Sequence, residues 1–271
     1  MQFVQFQALK VSRLILGSNP FSGFSHQGHD VDLAMKRYFT TATIKRTLLD
    51  AESAGVNTLI ARTDYHVMRL LLEYWDEGGR LQWFAQTCPE VGSHDACVSR
   101  AASGGAKACH IHGGVMDHLF AQGRLDEIPA VIRMIRDRGM LAGVAAHNPD
   151  VLKWVEAHAD VDYYMCSYYN PIPRVRSAEH VAGTDEQYLE ADRDAMTTLI
   201  STLSKPAIHY KVLAAGRNDP AAAFARVAAC LRPTDAVCVG VFPKDRPGMI
   251  GEDAALLEAA LQRTAARGGA Q

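Results

Sequence analysis

Short apolar runs alternate with stretches of helical period along nearly the whole chain. QFVQF (2–6) and QALKV (7–11) predict a small hairpin. Eight further runs predict strands: SRLILG (12–17), NTLIA (57–61), LQWFAQ (81–86), AKACHIH (106–112), LAGVAA (141–146), VDYYMCS (161–167), PAIHYKV (206–212) and AVCVGVF (236–242). Most are apolar, and several carry the β-branched and aromatic residues that suit a pleated, buried strand. Between them, amphipathic periods predict helices over 43–54, 67–77, 94–103, 125–138, 149–158, 185–203, 220–231 and 251–266. Gly55 and Gly139 stand where helices should close, and Asn148-Pro149 offers an N-cap and a first helical residue. The stretch after the first barrel strand reads as a long polar loop, and the one after the sixth as a long insertion. Strand–helix alternation implies a parallel sheet. Eight units favour closure into a (β/α)₈ TIM barrel with an N-terminal β-hairpin over an open doubly wound sheet. No G-x-G-x-x-G follows the first strand and no G-x-x-x-x-G-K-[ST] occurs. The chain is expected to form one domain, 1–271, with 1–11 as the hairpin and TAARGGAQ (264–271) as a frayed tail.

Composition narrows the partners. A net charge of −2 with scattered basic residues gives no electrostatic footprint for nucleic acid or a membrane surface. No apolar run approaches the ~20 residues that span a bilayer. MQFVQFQALKVSRLILG lacks a basic segment leading into an apolar one, so no signal peptide is expected and the location reads as cytoplasmic. None of the six cysteines forms C-x-x-C, which fits buried free thiols in a reducing compartment better than a zinc knuckle. A small-molecule substrate is the expected partner, and a homodimer the expected assembly if there is one.

In such barrels reactive groups come from the carboxyl ends of the strands. Ser18, Asn19, His26 and His29 follow the first strand; Arg62, Asp64, Tyr65 and His66 follow the second. His110 and His112, two apart on one strand, share a face. With His147 on the next strand they make a candidate site for a divalent metal, Asp64, Glu90 or water completing the shell. Alternatively, His110 is a hydrogen-bonded core residue and only His112 reaches the pocket. Lys211, in IHYKVLAAG, is either an anion anchor, a nucleophile of lowered pKa, or a lysine reaching out to solvent. LAAGR (213–217) allows close backbone approach by a ligand. Tyr65 and His112 form a candidate acid/base pair, and Arg62 with Asp64 reads equally well as a solvated ion pair.

Several of these segments resemble the aldo/keto reductase superfamily. KVSRLILGSNPFSG (10–23) is similar to that family's start, and AESAGVNTLIARTDYH (51–66) to its second strand, with Tyr65 at the catalytic tyrosine. CHIHGG (109–114) looks like the fourth strand, with His112 at the catalytic histidine. GVAAHNPDVL, SYYNP and HYKVLAAGR are similar to the ends of strands five, six and seven, and VGVFPKDRPGMIGEDAALL (239–257) to the last strand, loop and helix. The resemblance implies a TIM barrel and an NADP(H) site, with Tyr210 stacking on the nicotinamide, Gly216, Arg217 and Lys244 as further cofactor-binding residues, and the adenine-side phosphate contacts in 239–257.

The departures from the family pattern are specific. Its strand-two aspartate reads Ile60, and its strand-three lysine reads Thr87 or Cys88. The Ser-Asn pair that grips the nicotinamide reads Ala145-Ala146, the glutamine Cys166, and the pyrophosphate serine Lys211. Loss of half the tetrad and most nicotinamide contacts weighs against hydride transfer and against NADP(H). The expected function is acid/base chemistry of lyase, isomerase or epimerase type on a small sugar-like or hydroxycarbonyl substrate. Tyr65, His112, Lys211, Asp64 and His147 would carry it, with a metal on His110, His112 and His147 optional. An NADP-dependent oxidoreductase with a rearranged site and a non-catalytic ligand-binding protein are the alternatives.

Overall fold

A computed structural model describes residues 1–88, 90, 92–179 and 186–268. An antiparallel hairpin, β1 (Phe3–Phe6) and β2 (Leu9–Ser12), precedes eight parallel strands. These are β3 (Leu14–Gly17), β4 (Thr58–Arg62), β5 (Gln82–Gln86), β6 (Ala108–Ile111), β7 (Leu141–Ala146), β8 (Tyr163–Ser167), β9 (Ala207–Tyr210) and β10 (Ala236–Val239). They close in chain order, β10 pairing with β3 as well as β9, so the eight-fold barrel read from the sequence is the fold.

Alternation along the strands sorts their side chains into two layers. Ile15, Ile60, Phe84, Ala108, Ala145, Tyr163, Met165, Ile208 and Ala236 pack together and fill the barrel. Their neighbours Leu14, Leu16, Leu59, Trp83, Cys109, Ile111, Val144, Tyr164 and Val237 pack instead with helix residues such as Met116, Ile135, Val151 and Phe224. Phe6 of the hairpin joins the inner layer, 6.2 Å from the Phe84 ring and 5.9 Å from that of Tyr163, and plugs the end where the strands begin. The opposite mouth is left for a site.

The helices are α1 (His29–Tyr38), α2 (Thr41–Ser53), α3 (Tyr65–Asp76), α4 (His94–Ser103), α5 (Gly113–Ala121), α6 (Ile128–Asp137), α7 (Pro149–His158), α8 (Glu190–Ile200), α9 (Pro220–Cys230) and α10 (Met249–Gly268). Two are absent from the sequence reading. Helix α1 sits in the expected polar loop: its Asp30 and Asp32 lie in the first turn and Lys36 and Arg37 in the last, matching the helix dipole, while only Asp32 and Met35 are buried. Helix α5 begins with Gly113-Gly114, which reads as a break. Gly114 is demanded by packing, since a Cβ there would meet the Ala178 carbonyl oxygen at 2.4 Å, and a Cβ on residue 113 would crowd Tyr210 Oη at 3.0 Å.

Three boundaries are corrected. β9 ends at Tyr210, where Lys211 turns into the left-handed region (φ +58°). Helix α8 starts at Glu190, and residue 185, its expected start, lies outside the described residues. The expected tail is helical to Gly268, because Ala-rich sequence continues α10 without a breaker; residues 269–271 lie outside the described residues. Among the described residues no helix is long and apolar enough to cross a membrane.

Candidate active site

Strand parity decides which side chains reach the open mouth. Ile60 points inward, and so does Arg62 two residues on; Phe84 brings Gln86, Ala145 brings His147, and Ile208 brings Tyr210. Ile60, Arg62, Gln86, His147 and Tyr210 line a cavity of about 790 Å³ together with Ser18, Asn19, His26, His112, Arg174 and Lys211.

His147 is 7% exposed and its Nδ1–H donates to Asp117 Oδ2 at 2.7 Å. Asp117 comes from α5 and also accepts the backbone N–H groups of His147 (3.2 Å) and Asn148 (3.1 Å). A carboxylate only accepts, so the proton of a neutral His147 resides on Nδ1 and Nε2 is its free lone pair. No partner to Nε2 is found among the described residues. Burial lowers the pKa of His147, the Asp117 hydrogen bond and charge oppose this, and Lys211 and Arg174 lower it further. The net direction is down, so the ring is a base at neutral pH.

Lys211 stands across the mouth. Its Nζ donates to His26 Nε2 at 3.1 Å, and His26 Nδ1–H donates to Glu186 Oε1 at 2.7 Å. Tyr188 Oη–H donates to the other Glu186 oxygen at 2.7 Å. Burial brings the Lys211 ammonium down to about 8; Glu186 opposes the shift, while Arg174 and Arg217 assist it. For Glu186, burial alone would raise the carboxyl, but the hydrogen bonds of His26 and Tyr188 and the Lys211 charge hold it at about 2. His26 and Lys211 both have left-handed backbones, at φ +58° each, a costly conformation for these residues.

Arg174, in the segment between β8 and α8, is 9% exposed and lines the same cavity. His118 Nδ1–H donates to its carbonyl at 2.9 Å, and its Nη1 donates to the Glu179 carbonyl at 2.5 Å. Among the described residues its buried Nε has no partner, and neither has His112 Nδ1. Burial, then the charges of His147, Arg174, His110 and Arg62, push His112 well below the ordinary histidine range, so it is neutral. Arg62 pairs with Asp64 (3.2 Å) and Glu90.

The residues expected from the sequence separate into two groups. His112, His147, Lys211, Tyr210 and Gly216 meet at the cavity. Tyr65 does not: it is 71% exposed, with the Arg100 guanidinium over its ring at 5.3 Å. Asp64 accepts from Val67 N–H at 2.9 Å and starts α3 at once, which carries Tyr65 outward; Asp64 itself caps the helix and pairs with Arg62. The proposed Tyr65–His112 acid/base pair is therefore not formed. His110 is a core residue, with Tyr163 Oη on Nδ1 (3.1 Å) and Gln86 Oε1 on Nε2 (3.4 Å), and burial pushes it down to about 3. Among the described residues no group of three or more His, Cys, Asp or Glu side chains is placed to hold a metal ion. The His110, His112 and His147 set is thus not assembled, because His110 is bonded within the barrel and His147 is locked to Asp117.

The contacts of a nicotinamide cofactor are sparse here. Ala145, Ala146 and Cys166 offer no side-chain amide. The Tyr210 ring packs edge-on against His147, with centroids 5.8 Å apart, and its hydroxyl donates to the Ala146 carbonyl at 3.4 Å. Lys244 is exposed and does not line the cavity. Arg217 donates to the His26 carbonyl at 2.9 Å and lies 4.4 Å from the Tyr188 ring, closing the loops over Lys211. The positions that hold the nicotinamide amide in the family pattern therefore carry no amide here, although Asn19, Gln86 and Asn218 line the cavity elsewhere.

Asp117, Arg174 and Glu186 escaped the sequence reading. Asp117 has a signal, a lone carboxylate in the apolar run GVMDHLF, where burial demands a partner. Arg174 and Glu186 belong to a segment without periodicity and have none.

No family model matches the sequence, and no curated protein matches it. Solved structures do. A Pseudomonas aeruginosa protein assigned to the aldo-keto reductases has a TM-score of 0.63 at 16% identity, over 96% of this chain and 95% of its own. An aldo-keto reductase from Bacillus halodurans gives 0.60 at 12%, over 97% and 95%. A truncated 3-deoxy-D-arabino-heptulosonate 7-phosphate synthase from Thermotoga maritima gives 0.55 at 12%, over 99% and 92%. The chain has an aldo-keto reductase-like TIM-barrel fold, and at these identities the likeness is one of fold.

Proposed function

We propose that this barrel is an enzyme performing proton-transfer chemistry, of lyase, isomerase or epimerase type, on a small hydroxycarbonyl substrate that carries an anionic group. The observation that carries this reading is His147, a buried neutral imidazole that lines the cavity and is oriented through Nδ1 by Asp117 at 2.7 Å. A base so held removes a proton from carbon beside a carbonyl, and Asp117 stabilises the imidazolium that results. The enolate that forms bears negative charge, and the Arg174 guanidinium lies on the same cavity to meet it. Neutral His112 serves as a hydrogen-bonding group toward a substrate oxygen. Arg174 Nε, which has no acceptor among the described residues, supports an anionic group on the substrate, because a buried guanidinium N–H left without an acceptor is costly.

Support for this reading over hydride transfer comes from the tyrosine. A ketone reduced by a nicotinamide needs an acid beside the developing alkoxide, and Tyr65 stands outside the cavity. The aldo-keto reductase and heptulosonate synthase likenesses are compatible with either chemistry on this fold. The test is to incubate the protein with small hydroxyketones, hydroxyaldehydes and hydroxy acids in heavy water and to follow loss of the carbon-bound proton signal by NMR. Exchange that disappears in His147→Ala supports the reading. Exchange equal in both proteins, or turnover that consumes NADPH in step with substrate, opposes it.

A further inference from the structure

The second set of groups at the mouth is not used by a base at His147 alone. Lys211, His26 and Glu186 form a chain of hydrogen bonds, Nζ to Nε2 at 3.1 Å and Nδ1 to Oε1 at 2.7 Å. The three residues come from three separate segments: the loop after β3, the segment before α8, and the residue after β9. Gln27 Nε2 donates to the Ala215 carbonyl at 2.6 Å, and Arg217 donates to the His26 carbonyl, so the loops are fastened on both sides of the contact. Two of the three residues hold left-handed backbones to make it. Strain of this kind persists where the surroundings enforce a particular side-chain placement. An anion anchor needs none of this, since it gains nothing from a histidine that accepts its proton.

We propose that Lys211 is a carbonyl-trapping nucleophile, forming an iminium ion with the substrate, and that His26, positioned by Glu186, takes and returns the proton that this requires. The inference deepens the reading of the site as a proton-transfer centre for carbonyl compounds and rests on it. The Lys211 ammonium passes one proton to His26 Nε2, and the imidazolium is paired with the Glu186 carboxylate. The neutral Nζ attacks the carbonyl carbon; a C–N bond forms and the carbonyl oxygen gains the amine's proton, giving a carbinolamine. His26 returns its proton to that hydroxyl, the C–O bond breaks, and water leaves. The balance is amine plus carbonyl plus one proton giving iminium and water, with no oxidant or reductant. The iminium withdraws electrons from the adjacent C–H or C–C bond far more strongly than the ketone does, and His147 then has a proton of ordinary acidity to remove. Hydrolysis by water reverses the steps and frees Lys211. The pKa of about 8 fits the role, because an appreciable fraction of the amine is neutral near physiological pH.

The test needs no knowledge of the substrate. Formaldehyde is small enough to enter the cavity and forms imines with neutral amines. The folded full-length protein is treated with limiting formaldehyde and cyanoborohydride at neutral pH, and methylation of each lysine is read by peptide mass spectrometry. Lys211 is expected to react roughly tenfold or more faster than the exposed Lys10, Lys153 and Lys244. His26→Ala is expected to slow Lys211 about tenfold, and added imidazole to restore it, an effect that a merely structural histidine would not give. Lys211 reacting no faster than the exposed lysines overturns the nucleophile; loss of rate in His26→Ala without rescue, the variant keeping its fold by circular dichroism, overturns the proton transfer. Deuterium exchange that depends on His147 while Lys211 is unreactive defeats this inference and leaves the function standing. A reactive Lys211 without any exchange does the reverse.

Discussion

Two buried histidine–aspartate pairs sit in neighbouring parts of this barrel, and they differ in one nitrogen. His209 lies on β9 between the inward residues Ile208 and Tyr210, so it points out toward the helices. Its Nε2–H donates to Asp235 at 3.2 Å and its Nδ1 accepts from Tyr168 Oη–H at 3.0 Å. Asp235 also takes the Arg232 guanidinium (2.8 Å) and the Ala207 N–H (2.9 Å), which ties the ends of β9 and β10 together. Every valence of the His209 ring is used, and the residue does not line the cavity. His147 makes the same kind of bond to Asp117, yet parity turns it inward and leaves Nε2 uncommitted. A His–Asp pair is therefore a strut or a base according to whether the second nitrogen is spent. His110, with both nitrogens engaged, belongs with His209.

The largest expected effect separates the two pairs by activity. His147→Ala should reduce proton exchange by about 10²–10⁴-fold, the range for loss of a general base, with the unfolding transition little changed. Asp117→Asn should cost a large part of the same factor, because an amide can no longer fix Nδ1 as the protonated nitrogen. If His209→Gln reduced exchange as much as His147→Ala, the distinction would collapse.

Next comes stability. Asp235→Ala strips His209 and Arg232 of a buried partner and should cost about 3–5 kcal/mol in a urea titration, while exchange per folded molecule stays near wild type. Burial alone would raise the Asp235 carboxyl, but the His209 and Arg232 hydrogen bonds and charges win and hold it below its ordinary value. A depressed carboxyl contributes stability above its unfolded pKa and loses it as the pH falls through the folded value. Wild-type stability should therefore drop on acidification by more than that of Asp235→Ala, measured as the shift in urea midpoint between neutral and acidic pH.

Gly113→Ala gives a smaller, local effect. The added Cβ would stand 3.0 Å from Tyr210 Oη and 3.1–3.2 Å from the His147 ring, so the base must move by tenths of an ångström. Exchange should fall about tenfold with the fold intact, because a misplaced base loses much of its advantage. The smallest expected effect is that of Tyr65→Phe: less than about twofold on exchange, given its exposure at the first turn of α3 and the near-neutral cost of most surface changes. A loss of tenfold or more would return Tyr65 to the site and revive the reductase reading.

The barrel was legible because short apolar runs and helical periods alternate eight times, and the shared face of His110 and His112 was legible with it. What could not be read has identifiable causes. Tyr65 was drawn into the site by its sequence neighbours, but Asp64 caps α3 and the helix carries the ring away. Helix α5, and with it Asp117, was hidden behind two glycines that look like a break, of which Gly114 is dictated by crowding against Ala178. Arg174 and Glu186 reach the mouth from an aperiodic segment whose path depends on tertiary contacts such as His118 to the Arg174 carbonyl. Lys211 was visible as a lysine in an apolar run, whereas its left-handed turn and its bond to His26 were not.

The nitrogen of His147 not bound to Asp117 is assigned the removal of a proton from carbon. The direct measurement is the rate of carbon-bound deuterium incorporation into a hydroxycarbonyl substrate by wild type and by His147→Ala, at equal folded concentration in heavy water. Wild type is expected to incorporate deuterium, and the variant to do so at least about a hundredfold more slowly. Equal incorporation by the two proteins would contradict it.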